Sequence, residues 1–333
     1  MDAHIRESKK LENGITIDWF EFTMFNCFSP DDVINFLGLS NVQWENGYPR
    51  YSYRYSMNFN HIQILYGGRS DMGVHCIITG QGCREFETYS NQYTFDSILK
   101  KVAETPNVSM SRLDVAYDDY NGLIDLDSIL NDIDNGCCVS RFRKGNIQSS
   151  FDICNSSVRA TTINFGKQNS NTWITMYNKL EERKSKDLVP DCDYWVRCEI
   201  KMRHTNADNF VQLLAEGKKI NELYFMVLNN YIRFVVPSGE DKNRWRWDVA
   251  NHWAKFCNSV VNECISLYVA PSDDYNVAKL ERYVIGQAGA AVYTYIQRFG
   301  ISDFMEKIDS NKYKLAQKYL ELLTIPEELP EDE

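Results

Sequence analysis

The sequence predicts an α+β fold: an antiparallel-rich central sheet with flanking helices, followed by a helical C-terminal region. Three observations predict it. Up to about residue 205, short runs rich in aromatic and β-branched residues alternate with turn-forming clusters. After Arg203 the apolar period becomes helical. Two of the strand-like runs carry the same polar signature, R-x-D-V from Arg112 and R-x-E-I from Arg197, an echo that suggests an internal duplication. Strands followed by a run of helices make an α+β chain.

The elements follow in order. Residues 1–14 are a polar lead-in, and 15–25 read as a buried strand. Ser29-Pro30-Asp31-Asp32 caps a short helix that Gly38 ends. Residues 51–58 and 61–66 form a hairpin, and 73–79 a strand with His75, Ile77 and Thr79 on one face. Gly80-Gln81-Gly82 is a sharp turn into a helix over 83–88, and a second helix spans 94–103. In the strand 111–117, Arg112, Asp114 and Ala116 share a face, with Asp118 in the same phase. A helix over 126–133 has Asp125 as its cap. Residues 139–143 and 159–165 are strands around a polar loop. The strand from Trp173 puts Thr175, Tyr177 and Lys179 on one face, residues 180–186 form a short helix, and 193–203 form the last strand. Beyond it, 206–215, 220–234, 248–266, 275–297, 302–307 and 312–323 read as helices.

Composition bounds the function. The chain has 333 residues, 44% of them hydrophobic, and a net charge of −10, which argues against a bulk electrostatic DNA binder. The acidic end, with Glu327, Glu328, Glu331, Asp332 and Glu333, carries much of that excess, so local cations matter more than the sum. The ten cysteines are scattered, with no C-x-x-C pair, and act as small hydrophobes. No apolar run approaches the ~20 residues of a membrane span, and the polar start is no secretory signal. The chain reads as a reduced, cytoplasmic protein without a membrane partner.

The candidate chemistry lies on strand faces. Arg112 with Asp114, and Arg197 with Glu199, sit at i and i+2. They read either as structural ion pairs or as carboxylates for a divalent metal beside arginines for phosphate, since hard oxygen donors suit Mg²⁺ or Mn²⁺. His75 is a structural histidine or a third ligand. Tyr177 is one of 20 tyrosines, marked out by Lys179, which would lower the phenol pKa or neutralise a phosphate. Local cations at Arg141, Arg143, Lys144, Lys242, Arg244 and Arg246, with Trp245 and Trp247 interleaved, are either DNA contacts or solvated loops.

These motifs, in this order, resemble the Rep_trans family of replication initiators: rolling-circle proteins of plasmids, relaxases of conjugative elements and phage replication factors. The likeness lies in Ile17-Asp18-Trp19 through Thr23, in Met72-Gly73-Val74-His75 through Gly80-Gln81-Gly82-Cys83-Arg84 to Glu87, and in Arg112-Leu113-Asp114-Val115-Ala116 with Asp118. It continues in Thr162-Ile163-Asn164-Phe165-Gly166, in Tyr177-Asn178-Lys179 with Glu182, and in Trp195-Val196-Arg197-Cys198-Glu199 with Arg203. The resemblance implies a fold related to the HUH endonucleases and a nicking–closing enzyme. By position, Tyr177 becomes the attacking tyrosine that bonds a 5′ phosphate and leaves a 3′-OH. Asp114 and Glu199 become ligands of Mg²⁺ or Mn²⁺, with His75 a third; the usual pair of histidines is absent. Lys179, Arg112, Arg197, Arg84 and Arg203 become phosphate-facing or supporting residues. The resemblance also implies origin DNA as substrate, a host superfamily-1 helicase as partner and a homodimer. The nicking domain would span 15–205, a helical region for DNA recognition or dimerisation 206–325, and the acidic tail 326–333.

Overall fold

In the computed structural model, the residues described are 11–267 apart from 152, 154–157, 189, 240 and 261, and, beyond them, 280, 284–285, 288–310, 312 and 323. Alternation of side chains decides the architecture. On β1 (Gly14–Met24), Phe20 and Phe22 point into the core, while Trp19, Glu21 and Thr23 point to the other face. Next come α1 (Pro30–Leu37), β2 (Glu45–Asn46), β3 (Tyr55–Phe59), β4 (Ile62–Tyr66) and β5 (Val74–Ile78). Helices α2 (Gly80–Tyr89) and α3 (Phe95–Glu104) follow, then the long strand β6 (Val108–Asp119). The second half holds α4 (Leu126–Asp134), β7 (Cys138–Ser140), β8 (Gly145–Phe151), β9 (Val158–Phe165), β10 (Thr172–Asn178), α5 (Lys179–Lys184) and β11 (Val196–Arg203). It continues with α6 (Thr205–Ala215), α7 (Ile220–Tyr231), β12 (Ile232–Phe234) and α8 (Asn251–Cys257).

Ten of these strands make one antiparallel sheet in the order β2-β3-β4-β5-β1-β6-β11-β10-β9-β8. The α+β class with its antiparallel sheet and flanking helices is therefore as the sequence predicts. The order shows two similar halves, but the echoed signature does not mark them, since its two strands are neighbours within one half. β1 and β6 lie side by side at the centre, and from each the sheet runs outward through the last, third, second and first of the four strands that complete its half. Each half has one helix after its central strand and two after its final strand. Arg112 and Arg197 thus belong to neighbouring strands, β6 and β11.

One face of the sheet is covered. Leu113, Val115, Cys198, Ile200, Ile174 and Met176 join Phe20, Phe22 and the apolar sides of the helices in a single core. Helix α6 packs on β6, β11 and α3, and Tyr224 of α7 donates to the Cys198 carbonyl at 2.8 Å. The first compact unit therefore runs to residue 267, past the change of period near 205, and 268–333 form a second unit. There, α9 (Gly289–Phe299) and α10 (Ile301–Asp309) pack through Tyr295 on Phe304.

Local chemistry sets the boundaries. The Ser29 side chain accepts from Asp31 N, and Gly38 ends α1 with φ 68°, as the sequence predicts. Thr94 and Ser97 form a reciprocal cap on α3. Gly73 has φ 63°, and a Cβ there would lie 2.2 Å from the Met24 carbonyl oxygen. Several expectations change. Gly80-Gln81-Gly82 is the first turn of α2 rather than a turn before it. The segment 248–266 is not one helix: α8 stops at Cys257, where Asn258 takes φ 49°. Residues 232–234 pair with β7 as a strand instead of extending a helix. The polar loop before β9 contains β8, every residue of which is exposed. Residues 51–54 precede β3 rather than joining it. The helix expected at 312–323 and most of the first half of the one at 275–297 fall outside the described residues.

Candidate active site on the open sheet face

The uncovered face carries the polar side chains. Tyr177 stands opposite Arg197 and Thr175 opposite Glu199 in the β10–β11 ladder. Tyr177 and Glu199 are therefore diagonal neighbours, within reach of long side chains. The Tyr177 hydroxyl donates to Glu199 Oε1 at 2.7 Å. Lys179 is not on the strand face, because Asn178 caps α5 and Lys179 opens that helix. Its ammonium still reaches the Tyr177 oxygen, at 3.2 Å, and pairs with Glu182 at 2.8 Å. Burial, with the Glu199 carboxylate alongside, pushes the Tyr177 phenol well above its ordinary value. Ionisation of this phenol thus requires a base that takes the proton and a cation or phosphate centre that takes the charge.

Glu199 is buried, and its second oxygen accepts from Lys201 at 2.8 Å. Glu199 faces Ala116 across the β6–β11 ladder, which puts Asp114 on the adjoining diagonal. Arg112 grips Asp114 with two hydrogen bonds, 2.9 and 2.6 Å, and its guanidinium lies 4.1 Å above the Trp19 ring. Despite Arg112, burial wins at Asp114 and pushes its carboxyl up to about 6. The sign of the linkage is fixed: a carboxyl with a raised folded pKa keeps its proton where the unfolded chain has lost it, so stability falls as pH rises from about 4 to about 6. In urea denaturation without metal, wild type is expected to lose stability relative to Asp114→Asn between pH 4.5 and pH 7.5. A constant difference would contradict the shift.

The second expected i, i+2 pair forms, but loosely, and it is not the main partnership of Arg197. Arg197 and Glu199 approach only to 3.8 Å. Arg197 instead stands opposite Asp118 in the β6–β11 register, which it binds through Nε at 2.7 Å and Nη2 at 2.8 Å, with Nη1 on Asp18 at 2.7 Å. The directly opposed carboxylate takes the Nε and Nη2 edge of the fork bidentately and leaves Nη1 to Asp18. Asp118 also accepts from the Trp195 indole at 2.6 Å. Arg197 is therefore a buried, neutralised anchor beneath Tyr177. Arg197→Ala should cost about 3–5 kcal/mol, because it leaves Asp118 buried and unpaired; the midpoint of urea unfolding reports it.

A groove of about 970 Å³ opens over these residues. Tyr177, Glu199, Lys201, Arg112, Arg203 and Trp173 lie along it, with Lys144 and Lys167 at its rim. Arg203 stacks on Trp173 at 4.8 Å. Of the sequence-predicted residues, the structure thus brings together Tyr177, Lys179, Asp114, Glu199, Arg112, Arg203 and Lys144, with Arg197 beside them as a structural anchor.

Residues 108–308 match the replication initiation factor family, Rep_trans, and residues 14–101 match the rolling circle replication initiation protein N-terminal domain. The chain belongs to the Rep_trans family. A Bacillus subtilis (strain 168) relative described as "Putative DNA relaxase NicK" is 29% identical over 230 residues, 68% of this chain and 64% of the relative. The chain thus spans just under two thirds of that relative's length. The solved rolling circle replication initiator protein from Geobacillus stearothermophilus superposes with a TM-score of 0.68 at 26% identity, covering 78% of this chain and all of that one.

Other candidate residues of this Rep_trans chain sit elsewhere. His75 does not join Asp114 and Glu199. It lies on β5, in the other half, where its Nδ1 meets Thr23 at 2.8 Å and its Nε2 meets Glu21 at 3.0 Å. Asp114 stands opposite Trp19, four residues along β1 from the Thr23 that faces His75. Among the described residues, no three His, Cys, Asp or Glu side chains gather as a metal cluster. Arg84 is on α2, donates to the Ile17 carbonyl at 2.6 Å and pairs with Glu87 at 2.9 Å. Arg244 caps the carbonyls of Gly136 and Cys138, and Arg246 pairs with Asp241 at 2.7 Å. Arg141, Arg143 and Lys242 are exposed. Sequence reasoning gave no role to Lys201, Asp18 or Glu21. Strand phase was the available signal for Lys201 and Glu21; Asp18 lies at a register irregularity between Ile17 and Trp19, which alternation does not reveal. Among the described residues, no helix is long and apolar enough to cross a membrane.

Proposed function

We propose that this chain initiates rolling-circle replication by nicking one strand of its origin through Tyr177. The observation that carries this reading is the Tyr177–Glu199 hydrogen bond of 2.7 Å at the floor of a cationic groove. Glu199 takes the phenol proton as Tyr177 Oη attacks the phosphorus. The P–O3′ bond breaks, the 5′ phosphate stays on Tyr177, and the 3′ oxygen leaves, taking a proton from water, to become a free hydroxyl that primes synthesis. The phosphotyrosine conserves the energy of the broken bond, so rejoining is the same step reversed. Lys179, 3.2 Å from the phenol oxygen, offsets charge there. Arg112, Lys201 and Arg203 provide cations along the strand.

The donors present fit a hard divalent cation. Asp114 and Glu199 are buried carboxylates on adjacent strands, and burial at Asp114 outweighs Arg112, so further positive charge is favourable there. Mg²⁺ is commonly held by one or two carboxylates, with substrate phosphates completing its shell. Asp114 and Glu199 would hold it, and bound there it would polarise the scissile phosphate. Origin DNA is the proposed substrate, a superfamily-1 helicase and a second copy of the chain the proposed partners, and the cytoplasm the proposed compartment. The described relaxase relative favours a second reading, the same cleavage at a transfer origin.

The deciding experiment traps the intermediate. A single-stranded origin oligonucleotide with a bridging 3′-phosphorothiolate at the nick position should leave a covalent adduct, with the nucleotide-bearing peptide containing Tyr177. An adduct on a different residue would overturn the assignment.

A further inference from the structure

The two halves of the sheet place equivalent faces side by side, yet they treat them differently. Over the second half the face is an open groove. Over the first half, residues 47–54 fold across it. Gln63 of β4 donates to the Tyr48 carbonyl at 3.1 Å, and the Tyr53 hydroxyl donates to the Met72 carbonyl at 3.0 Å. The Tyr53 ring lies parallel to His75 at 6.2 Å, and the Tyr51 ring meets it edge-on at 6.2 Å. His75 is itself fixed by Thr23 and Glu21. The histidine therefore serves as a pedestal for the loop.

What this loop presents outward is unusual for a turn. Tyr48 is 92% exposed and Tyr51 61% exposed. Tyr51 and Ser52 take φ 56° and 66°, a left-handed pair without glycine. Such a conformation persists when surrounding contacts impose it, and it is found at binding elements. The Arg50 guanidinium lies 5.3 Å from the Tyr51 ring centroid. Arg50 and Arg54 are exposed and have no carboxylate partner among the described residues. The neighbouring Arg69 pairs with Asp71. Two guanidinium groups without a carboxylate partner among the described residues and two exposed phenol rings thus sit together on one short loop.

The loop is continuous with the groove. From Glu199 the open face runs through Lys201 and Arg112 to Glu21, which faces Arg112 across the β1–β6 ladder, and on to His75. Three strand spacings and about seven residues along the strands make this path on the order of 25 Å, the span of a few unpaired nucleotides.

We propose that residues 47–54 form a base-stacking element for the unpaired strand, with Tyr48 and Tyr51 each taking a base and Arg50 and Arg54 the flanking phosphates. Single-stranded DNA is the ligand because its bases are free to stack, whereas duplex DNA offers only its backbone and groove edges. The proposal rests on the reading that this chain cleaves a DNA strand on the open face. Alanine substitution at a stacking aromatic weakens binding roughly 5- to 150-fold per base.

The test uses fluorescence anisotropy of the full chain with a labelled oligothymidylate of about twenty nucleotides and with a duplex of equal length. Tyr48→Ala/Tyr51→Ala is expected to weaken oligothymidylate binding by at least about tenfold and duplex binding by less than about twofold, with an unchanged thermal midpoint. Tyr48→Trp/Tyr51→Trp, which keeps two π faces, should retain wild-type affinity. Arg50→Ala/Arg54→Ala should flatten the salt dependence by about two phosphate contacts. Unchanged binding in the alanine variant, or an equal loss in the tryptophan variant, would overturn the proposal. Its fate is separable from that of the cleavage reading. If no adduct forms at Tyr177 while the alanine variant still loses single-strand affinity, the stacking element stands and the cleavage reading falls. If the adduct forms and the alanine variant binds as wild type, the reverse holds.

Discussion

Tyr177→Phe is expected to slow strand cleavage by roughly a thousandfold or more, the scale seen when a covalent nucleophile is deleted, while origin binding changes by less than about twofold. The substitution removes one oxygen and keeps the ring. The lost atom donates to Glu199 and accepts from Lys179. Neither partner is left without a charge of opposite sign, since Glu199 retains Lys201 and Lys179 retains Glu182. The fold should therefore tolerate the change, and the loss should appear in chemistry alone. Conversion of a supercoiled, origin-bearing plasmid to open circles reads the cleavage rate. Gel shift on the same origin reads binding. Retained nicking would remove Tyr177 from the reaction, and joint loss of nicking and binding would mark it as a structural residue.

β1, β6, β10 and β11 were legible because apolar core residues alternate with polar ones, and β5 because it is a short apolar run, buried throughout. That alternation alone placed Tyr177, Asp114 and Glu199 on polar faces. β8 was invisible for the opposite reason: GNIQSSF is exposed throughout, and its pairing with β9 is written in backbone hydrogen bonds rather than in side-chain pattern. Register was invisible too. The i, i+2 spacing of Arg197 and Glu199 is a local fact, but the partner of Arg197 is set by which residue β6 places opposite, and that is Asp118. His75 shows the same limit at longer range. Its strand phase was correct, and it takes the same face of the sheet as Tyr177, covered there by residues 47–54, but the topology puts β1 and β6 between its strand and β11. Phase says which face a side chain takes; pairing order says which residues share a site.

The arrangement around Glu199 separates two jobs that one carboxylate can do, and Glu199→Gln is the variant that distinguishes them. With Oε1 on the phenol and Oε2 on Lys201, Glu199 is placed to take the Tyr177 proton, and loss of a general base typically costs about 10²–10⁴-fold. The pH response carries the further information. Burial and the Glu199 charge both hold the Tyr177 phenol above its ordinary value. Glutamine abolishes the charge but not the burial, so the phenol falls part of the way back and forms phenolate more readily as pH rises. The variant's cleavage rate is therefore expected to climb steadily with pH across the alkaline range, where the wild-type rate is flat. If Glu199 acts chiefly by holding a cation, the variant should instead recover when Mn²⁺ is raised at fixed pH, because weakened metal affinity yields to mass action and a missing base does not. Recovery with pH but not with Mn²⁺ assigns the proton to Glu199 and leaves Asp114 as the principal ligand. Recovery with Mn²⁺ but not with pH assigns Glu199 to the metal and requires another acceptor for the phenol proton.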